Sequence, residues 1–332
     1  MNIENHDELT VYLRAADHVG KQEVVHMTTL AGGVSCNTVQ IHRSSGPDIV
    51  VKQALAKLKV RQDWFSDPIR IHREAAAMRQ LNQITTQGRV PQFYFEDHDL
   101  HLLGMEAVPS PHDNWKTLLL GGRIDDRHIE QFGRLLAEIH RASYDDSSMR
   151  EQFNDCQFFE SLRIEPYYTF TAKQVPKAGK FLRELITDTR CNSSTLVHGD
   201  YSPKNILIHQ NQMTLVDHEV MHFGDGTFDI GFSMTHFLSK ANHVAGHRAA
   251  FINASHFYWD TYRNHFAVDK QWEQRAVRHT IACMLARVEG KSPLEYLSED
   301  DKRAQRKLCL KLMTHLPSSF DAVFQTMREE HS

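Results

Sequence analysis

The sequence predicts an α+β fold in two lobes, an N-terminal antiparallel sheet with one packed helix and a larger, mainly helical C-terminal part. Three features carry that reading. Short β-prone runs separated by turn residues fill the region from Val24 to Glu106. The tract Val108-Pro109-Ser110-Pro111-His112 then breaks the pattern. Beyond it, apolar residues recur mostly at helical spacing. The boundary falls between 1–107 and 108–332, and the absence of repeats or long linkers makes the two parts lobes of one domain system.

In chain order, Asp7 to Val19 reads as an amphipathic helix, with Leu9, Tyr12, Leu13 and Ala16 on one stripe. Val24-Val25, Thr38 to Ile41 and Ile49 to Gln53 read as strands, with a turn at Ser44 to Asp48. Gly32 and Gly33 lie between the first two, where glycine lets backbone N–H groups approach a ligand such as phosphate. Lys52 follows on the next strand. Asp67 to Leu81 is a predicted helix with Ile71, Ala75, Met78 and Leu81 facing inward. Glu74 falls in its middle, able to hold Lys52 or to pair locally with Arg70 or Arg73. Strands at Gln92 to Glu96 and His101 to Glu106 complete the sheet. Glu106 to Val108 then forms a connector whose backbone could hydrogen-bond an adenine edge, or a plain loop.

The C-terminal part opens with a core helix, Ile129 to Ser143, carrying Phe132, Leu135, Leu136 and Ile139 on one stripe. The aromatic-rich segment Phe158 to Tyr168 is expected to be broken at Pro166. A helix over Lys173 to Arg190 follows. Near the C-terminus, helices are expected over about 247–266, 270–288 and 299–315, with a short one after Pro317.

Composition excludes some roles. A net charge of −4 lacks the basic surplus needed for nucleic acid or an anionic membrane surface. No apolar run approaches membrane-spanning length, and the polar N-terminus has no apolar targeting core. The five cysteines are scattered, with no C-x-x-C pair, so reduced thiols in a cytoplasmic protein, a monomer or homodimer, are expected. Histidines four apart (His218 and His222, His243 and His247) lack the accompanying Glu of a helical zinc pair, and no zinc site is predicted.

The chemistry concentrates in LVHGDYSPKNILIHQNQMTLVDHEVMHFGDGTFDIGF, Leu196 to Phe232. Asp200, Asn205 and Asp217 lie at the ends of short extended segments. Three such oxygens make a hard-cation site of the Mg²⁺ kind, with Asp200 left over as a base. The spacing H-x-D-x-x-x-x-N, then Asp on the next strand, matches the phosphoryl-transfer template.

With these residues in view, the chain resembles the aminoglycoside phosphotransferase and choline kinase superfamily, a branch of the protein-kinase-like fold. His198-Gly199-Asp200-Tyr201-Ser202-Pro203-Lys204-Asn205 is similar to its H-G-D-x-x-x-x-N loop. Asp217-His218-Glu219 is similar to its D-x-E strand end, and Gly224 to Gly231 to the G-D-x-x-x-D-[IL]-[AG] that follows. Within that superfamily, Val50-Val51-Lys52-Gln53-Ala54-Leu55, Trp64 and Glu74 make the N-terminal part similar to methylthioribose kinase. Ala56 stands where that group has proline, and Pro203-Lys204-Asn205 ends the loop differently.

The resemblance implies ATP- and Mg²⁺-dependent phosphorylation of a hydroxyl on a small polar molecule. Asp200 would orient the acceptor and take its proton, and Asn205 and Asp217 would hold Mg²⁺, with Glu219 available to a second ion. Lys52, fixed by Glu74, would neutralise the α- and β-phosphates under the Gly32-Gly33 loop. His198 and Asp229 are expected to be structural, the latter bracing the loop after Glu219. Substituting Lys52 is expected to weaken use of ATP with little effect on folding.

Ser202 stands where protein kinases carry lysine, which points away from a protein acceptor; Lys204 is two positions further on. Arg163, Tyr167 and Lys204 are candidates for the acceptor side, since an Arg and phenols suit a polyol or anionic substrate. The aromatic helix from Phe251 to Phe266 is expected to be core. No concentrated acidic tract is present to receive several ammonium groups, so a sugar or polyol is favoured over an aminoglycoside. A non-catalytic nucleotide-binding regulator would be expected to lack at least one of Lys52, Asp200, Asn205 or Asp217. All four are present.

Overall fold

A computed structural model describes residues 1–30, 33, 35–59 and 64–329. By packing, the chain divides into two units: Met1–His112 with Thr214–Glu219, and Asp113–Met213 with Val220 onward.

In the first unit, five antiparallel strands run in the order β1-β2-β3-β5-β4: β1 (Val25–Thr29), β2 (Cys36–Arg43), β3 (Ile49–Ala54), β4 (Phe93–Asp97) and β5 (Leu102–Glu106). The period-two pleat sorts their side chains. Val39, Ile41, Ile49, Val51 and Leu102 go to a core shared with Leu9 and Leu13 of α1 (His6–Ala15). Val50 and Lys52 alternate with them along β3. Asn5 caps α1 through its side chain. The helix ends four residues before the expected Val19 because Asp17 turns left-handed, at φ 55°.

The second helix, α2 (Arg70–Ile84), buries Ile71, Ala75, Met78 and Leu81 as the periodicity requires. It starts three residues later than expected, since Asp67 and Pro68 form turns in which Arg70 and Ile71 reach back three residues. A bulge in β4 places the Phe95 ring over Gly104, where an added Cβ would lie 2.2 Å from ring carbon. That position of β5 therefore requires glycine.

The second unit opens with the two-residue strand β6 (Asp113–Asn114) and short α3 (Trp115–Leu120), then α4 (Asp126–Ser143), capped by Asp125. Phe132, Leu135, Leu136 and Ile139 are buried on α4, as its stripe predicts. Short helices α5 (Ser147–Gln152) and α6 (Gln157–Phe159) lead into a ten-residue π-helix, Glu160–Thr169, continued by α7 (Phe170–Gln174). Pro166 does not break this segment, contrary to expectation. The wider winding absorbs the missing N–H donor within the helix. After α8 (Gly179–Cys191) come β7 (Thr195–Val197), β8 (Ile206–His209), β9 (Gln212–Leu215) and β10 (His222–Gly224). β10 pairs with β7, and β8 with β6. Gln210 and Asn211 both take positive φ, which makes the tight turn from β8 to β9.

The helix α9 (Thr227–His243) was not anticipated. It is buried almost all round and packs against α10 (Arg248–His265) and α11 (Lys270–Glu289). Its sequence therefore has no polar stripe by which to recognise it. The remaining helices, α12 (Glu299–Thr314) and α13 (Phe320–Glu329), fall within a few residues of expectation. All five cysteines are free thiols. Among the described residues, no helix is long and apolar enough to cross a membrane.

Candidate active site

The sequence-predicted residues form one constellation in each unit. In the first, the pleat of β3 aims Lys52 away from the α1 core, and its ammonium donates to both carboxylate oxygens of Glu74 at 2.8 Å. A third donation reaches Asp217 Oδ1 at 2.9 Å. The Glu74 side chain is only 1% exposed and that of Asp217 25%, so one cation serves two carboxylates of very different solvation. Burial works against the Lys52 ammonium, but Asp217 and then Glu74 outweigh it and hold its pKa well above the usual value. Burial pushes the Glu74 carboxyl upward, Lys52 offsets part of this, and Asp217 adds to the rise.

Asp217 sits two residues beyond β9 with φ 71°, a left-handed conformation that Asp tolerates better than most residues. Its neighbour His218 donates its backbone N–H to Glu74 at 3.4 Å. Glu219 accepts from Nε of the fully buried Arg70 at 2.9 Å. Arg70 also donates to the carbonyls of Ser35, Leu55, Ser66 and Asp67, which ties the glycine-side loop and α2 to the segment carrying Glu219. Sequence reading considered Arg70 only as a local partner of Glu74. The available signal was its position one helical turn before Glu74, on the same face.

Of the glycine pair, Gly32 lies outside the described residues, while Gly33 is exposed. At the connector, the N–H of Glu106 donates to Gln92 O and that of Ala107 to Asp48 O. Glu106 thus ends β5 with its backbone held, and Val108 follows two residues on, buried.

The His198-Gly199-Asp200 loop of the second unit leaves β7 at Val197. Gly199 takes φ 75°, and a Cβ there would meet Val220 at 2.7 Å, so the turn accepts glycine alone. Asp229, fully buried near the start of α9, accepts from the N–H of His198 at 2.6 Å and of Gly199 at 2.8 Å. It braces the His198-Gly199-Asp200 turn itself, rather than the loop after Glu219. His198 Nδ1 in turn accepts from the N–H of Asp200 at 3.2 Å. Tyr201 donates to Phe132 O at 2.7 Å and stacks on that ring, anchoring the loop to α4.

Three donors converge on Asp200 Oδ2: the Asn205 amide at 2.9 Å, Lys204 Nζ at 2.9 Å and Arg163 at 3.2 Å. Asn205 also donates to Asp200 O at 3.0 Å, from the 3-10 turn Pro203–Asn205. Arg163 reaches Asp200 from the π-helix, with its Nε donating to Gly199 O. In that place it holds both the Asp200 carboxylate and the backbone of the turn. Tyr167 accepts from Arg287 at 2.9 Å, whereas Tyr168 is core, bonded to His279. The Phe251 to Phe266 aromatics are core as expected, with Tyr258 and Tyr262 fully buried.

Each unit offers oxygen donors of the kind a hard divalent cation takes. Asn205 spends its amide N–H on Asp200, which leaves its carbonyl oxygen for a ligand role. Asp217 already binds a cation, the Lys52 ammonium. Glu219 is less available, since Arg70 takes one of its oxygens.

Residues 26–265 match the model of the phosphotransferase enzyme family abbreviated APH. Methylthioribose kinase from Escherichia coli O45:K1 (strain S88 / ExPEC) is 24% identical over 232 residues, 60% of this chain and 54% of the relative. The chain thus spans about half the length of the curated relative it matches. Among solved structures, amicoumacin kinase hAmiN, in complex with AMP-PNP, Ca²⁺ and Ami, aligns with a TM-score of 0.60 at 15% identity. That alignment covers 95% of this chain and 96% of the other. A choline/ethanolamine kinase family protein from Mesorhizobium loti aligns with a TM-score of 0.56 at 14% identity, covering 97% and 99%. Choline kinase from Cryptosporidium parvum Iowa II gives 0.58 at 10%, covering 97% and 98%. At such identities these alignments speak for the fold, which is protein-kinase-like. With the family match spanning most of the chain and the H-G-D-x-x-x-x-N loop in place, the protein belongs to the APH phosphotransferase enzyme family.

Proposed function

We propose that the protein transfers the γ-phosphoryl group of ATP, with Mg²⁺, to a hydroxyl of a small polar molecule such as a sugar or polyol. The observation that carries this reading is the hold on Asp200, whose Oδ2 is fixed by Asn205, Lys204 and Arg163 in a turn braced by Asp229. A carboxylate so held can orient one hydroxyl and accept its proton as the acceptor oxygen bonds to phosphorus and the bond to ADP breaks. Lys52, kept charged by Asp217 and Glu74, suits the α- and β-phosphates. Asn205 and Asp217 would supply oxygen ligands to Mg²⁺, with Glu219 as a further donor. When bound, the ion neutralises phosphate charge. Val108 offers a backbone N–H, and Glu106 a carbonyl, to an adenine edge. Ser202, fully buried, brings no charge to the γ-phosphate, in line with a small-molecule acceptor.

The test is Mg²⁺-dependent ADP formation with a panel of polyols, sugars, amino alcohols and aminoglycosides. Asp200→Asn should lower kcat by about 10²- to 10⁴-fold, the usual size of general-base catalysis, with nucleotide affinity kept. Full turnover by Asp200→Asn would remove Asp200 from the reaction. Binding of ATP without phosphorylation of any acceptor would remove the enzyme reading altogether.

A further inference from the structure

The buried face of α9 carries a lysine for which no counter-ion is in place. Lys240 is fully buried; its ammonium donates to His236 O at 3.2 Å and lies 5.2 Å from the centre of the Tyr296 ring. Among the described residues, no carboxylate pairs with it. Its charged neighbours are mostly cations. Arg287 of α11 is 8% exposed and spends its Nη1 donations on Tyr167 OH and Ser292, again without a carboxylate. Lys116 of α3 pairs with Glu295, an exposed residue and the one acid acting on Lys240. Burial, then Lys116 and Arg287, push the Lys240 amine down to about 7, with Glu295 opposing.

The same neighbourhood holds buried polar atoms that lack hydrogen-bond partners: His236 Nε2, Tyr296 OH and Arg287 Nε. Buried polar atoms nearly always find partners, and buried charges are nearly always paired. Burial, with Lys240, Arg287, Lys204 and Lys116 around it, holds the His236 imidazole far below its usual pKa, so it cannot serve as a further cation. The cluster adjoins the catalytic loop. The Phe232 ring lies 5.3 Å from His236 and 5.8 Å from the Arg163 guanidinium, which in turn holds Asp200.

We propose that the acceptor is a hydroxylated acid, whose hydroxyl meets Asp200 and whose carboxylate or phosphate group is held by Lys240 and Arg287. This rests on the phosphotransferase reading above and narrows its substrate class. An anionic group supplies the counter-charge that the fold withholds from both cations, and its oxygens give His236 and Tyr296 partners. Neutral polyols would leave Lys240 unpaired, and an ammonium acceptor would be repelled. Anion binding restores the Lys240 amine to its charged form, so near pH 8 it takes up a proton.

The test uses the full chain with ATP and Mg²⁺ and charge-matched acceptors. Gluconate and glucose 6-phosphate are set against sorbitol, glucose and choline, the two acids distinguishing carboxylate from phosphate. At least one acid should show kcat/KM tenfold or more above its neutral counterpart. Lys240→Met should raise KM for that acid at least tenfold and bring the acid-to-neutral ratio towards one, while Lys240→Arg keeps the preference. Met removes a buried charge, so the variant is expected to fold. Calorimetry with AMP-PNP present, in buffers of different ionisation enthalpy, should show proton uptake on acid binding to the wild type and none to Lys240→Met. Equal use of neutral and acidic acceptors, with KM unchanged in Lys240→Met, overturns the acid preference and leaves the phosphotransferase reading standing. ATP binding with no acceptor of any charge phosphorylated overturns both.

Discussion

Replacing Lys52 by Met tests how much of the first unit's stability depends on a group assigned to ATP. Sequence reasoning expects little effect on folding, and the structure argues otherwise. Lys52 is the cation beside Glu74, whose side chain is 1% exposed, and beside Asp217, whose side chain is 25% exposed. Removing one partner of a buried pair costs about 3–5 kcal/mol, because the other is left charged and dry. Asp217 retains access to water, so the lower end, about 3 kcal/mol, is expected at pH 8.

The variant has one escape, which is to protonate Glu74. Its carboxyl is already driven upward by burial, and the reference value in the unfolded chain is 4.5. A folded-state pKa raised above the unfolded one means that the folded state takes up the extra proton. Stability is therefore lost as pH rises through that window, at about 1.4 kcal/mol per pH unit. The deficit of Lys52→Met relative to wild type should accordingly fall below about 1 kcal/mol at pH 5. Lys52→Met/Glu74→Gln, which leaves no unpaired charge at that position, should recover most of the loss. Urea unfolding followed by circular dichroism at pH 5 and pH 8 measures all three proteins. A Lys52→Met variant as stable as wild type at pH 8, or a double variant no better than the single, would refute the reasoning.

Gly199→Ala should cost about 1–3 kcal/mol for its left-handed backbone alone, plus the clash with Val220. Adding Val220→Ala should relieve the clash but not the backbone cost, so urea midpoints should rank wild type, double variant, single variant. Asp229→Asn removes one of two acceptors for the His198 and Gly199 N–H groups, and a hydrogen bond to a charged group contributes about 1.5–3 kcal/mol. Stability and kcat should fall together; loss of kcat with an unchanged unfolding midpoint would separate the two roles. Lys240, held near 7 in the fold against 10.5 in the unfolded chain, binds fewer protons when folded between those values. Wild-type stability should therefore gain relative to Lys240→Met as pH rises from 7 towards 10, and a pH-independent difference would show that the amine is not depressed.

The phosphotransferase family was legible because Asp200, Asn205 and Asp217 stand at its fixed spacings, and spacing survives in a one-dimensional string. The strands of the first unit were legible for a related reason. Their one-sided burial writes a period of two into residues such as Ile49 and Val51 against Val50 and Lys52. The α9 helix was missed because burial on every side erases the period, and its Ser, Thr and Gly residues are modest helix formers. Arg70 was undervalued because Glu219 and the carbonyls of Ser35 and Leu55, which it joins, are remote in sequence. Pro166 was read as a breaker by a rule written for α-helices, and the segment winds as a π-helix. Lys240 and His236 left no local signal, since an unpaired buried lysine shows only once its surroundings are known.

The left-handed backbone of Asp217 governs how its charge can be removed without changing anything else. At φ 71° the residue stays in a region that Asp and Asn visit far more readily than Ala. Asp217→Ala therefore alters two properties at once, the carboxylate and the willingness of the chain to turn there. Relaxation at that point would carry Glu219 and its grip on Arg70 with it. Asn keeps the turn and deletes only the charge, and Gly keeps the turn and deletes the side chain. Comparing those two substitutions, rather than either with Ala, separates the electrostatic part of Asp217 from its part in shaping the backbone.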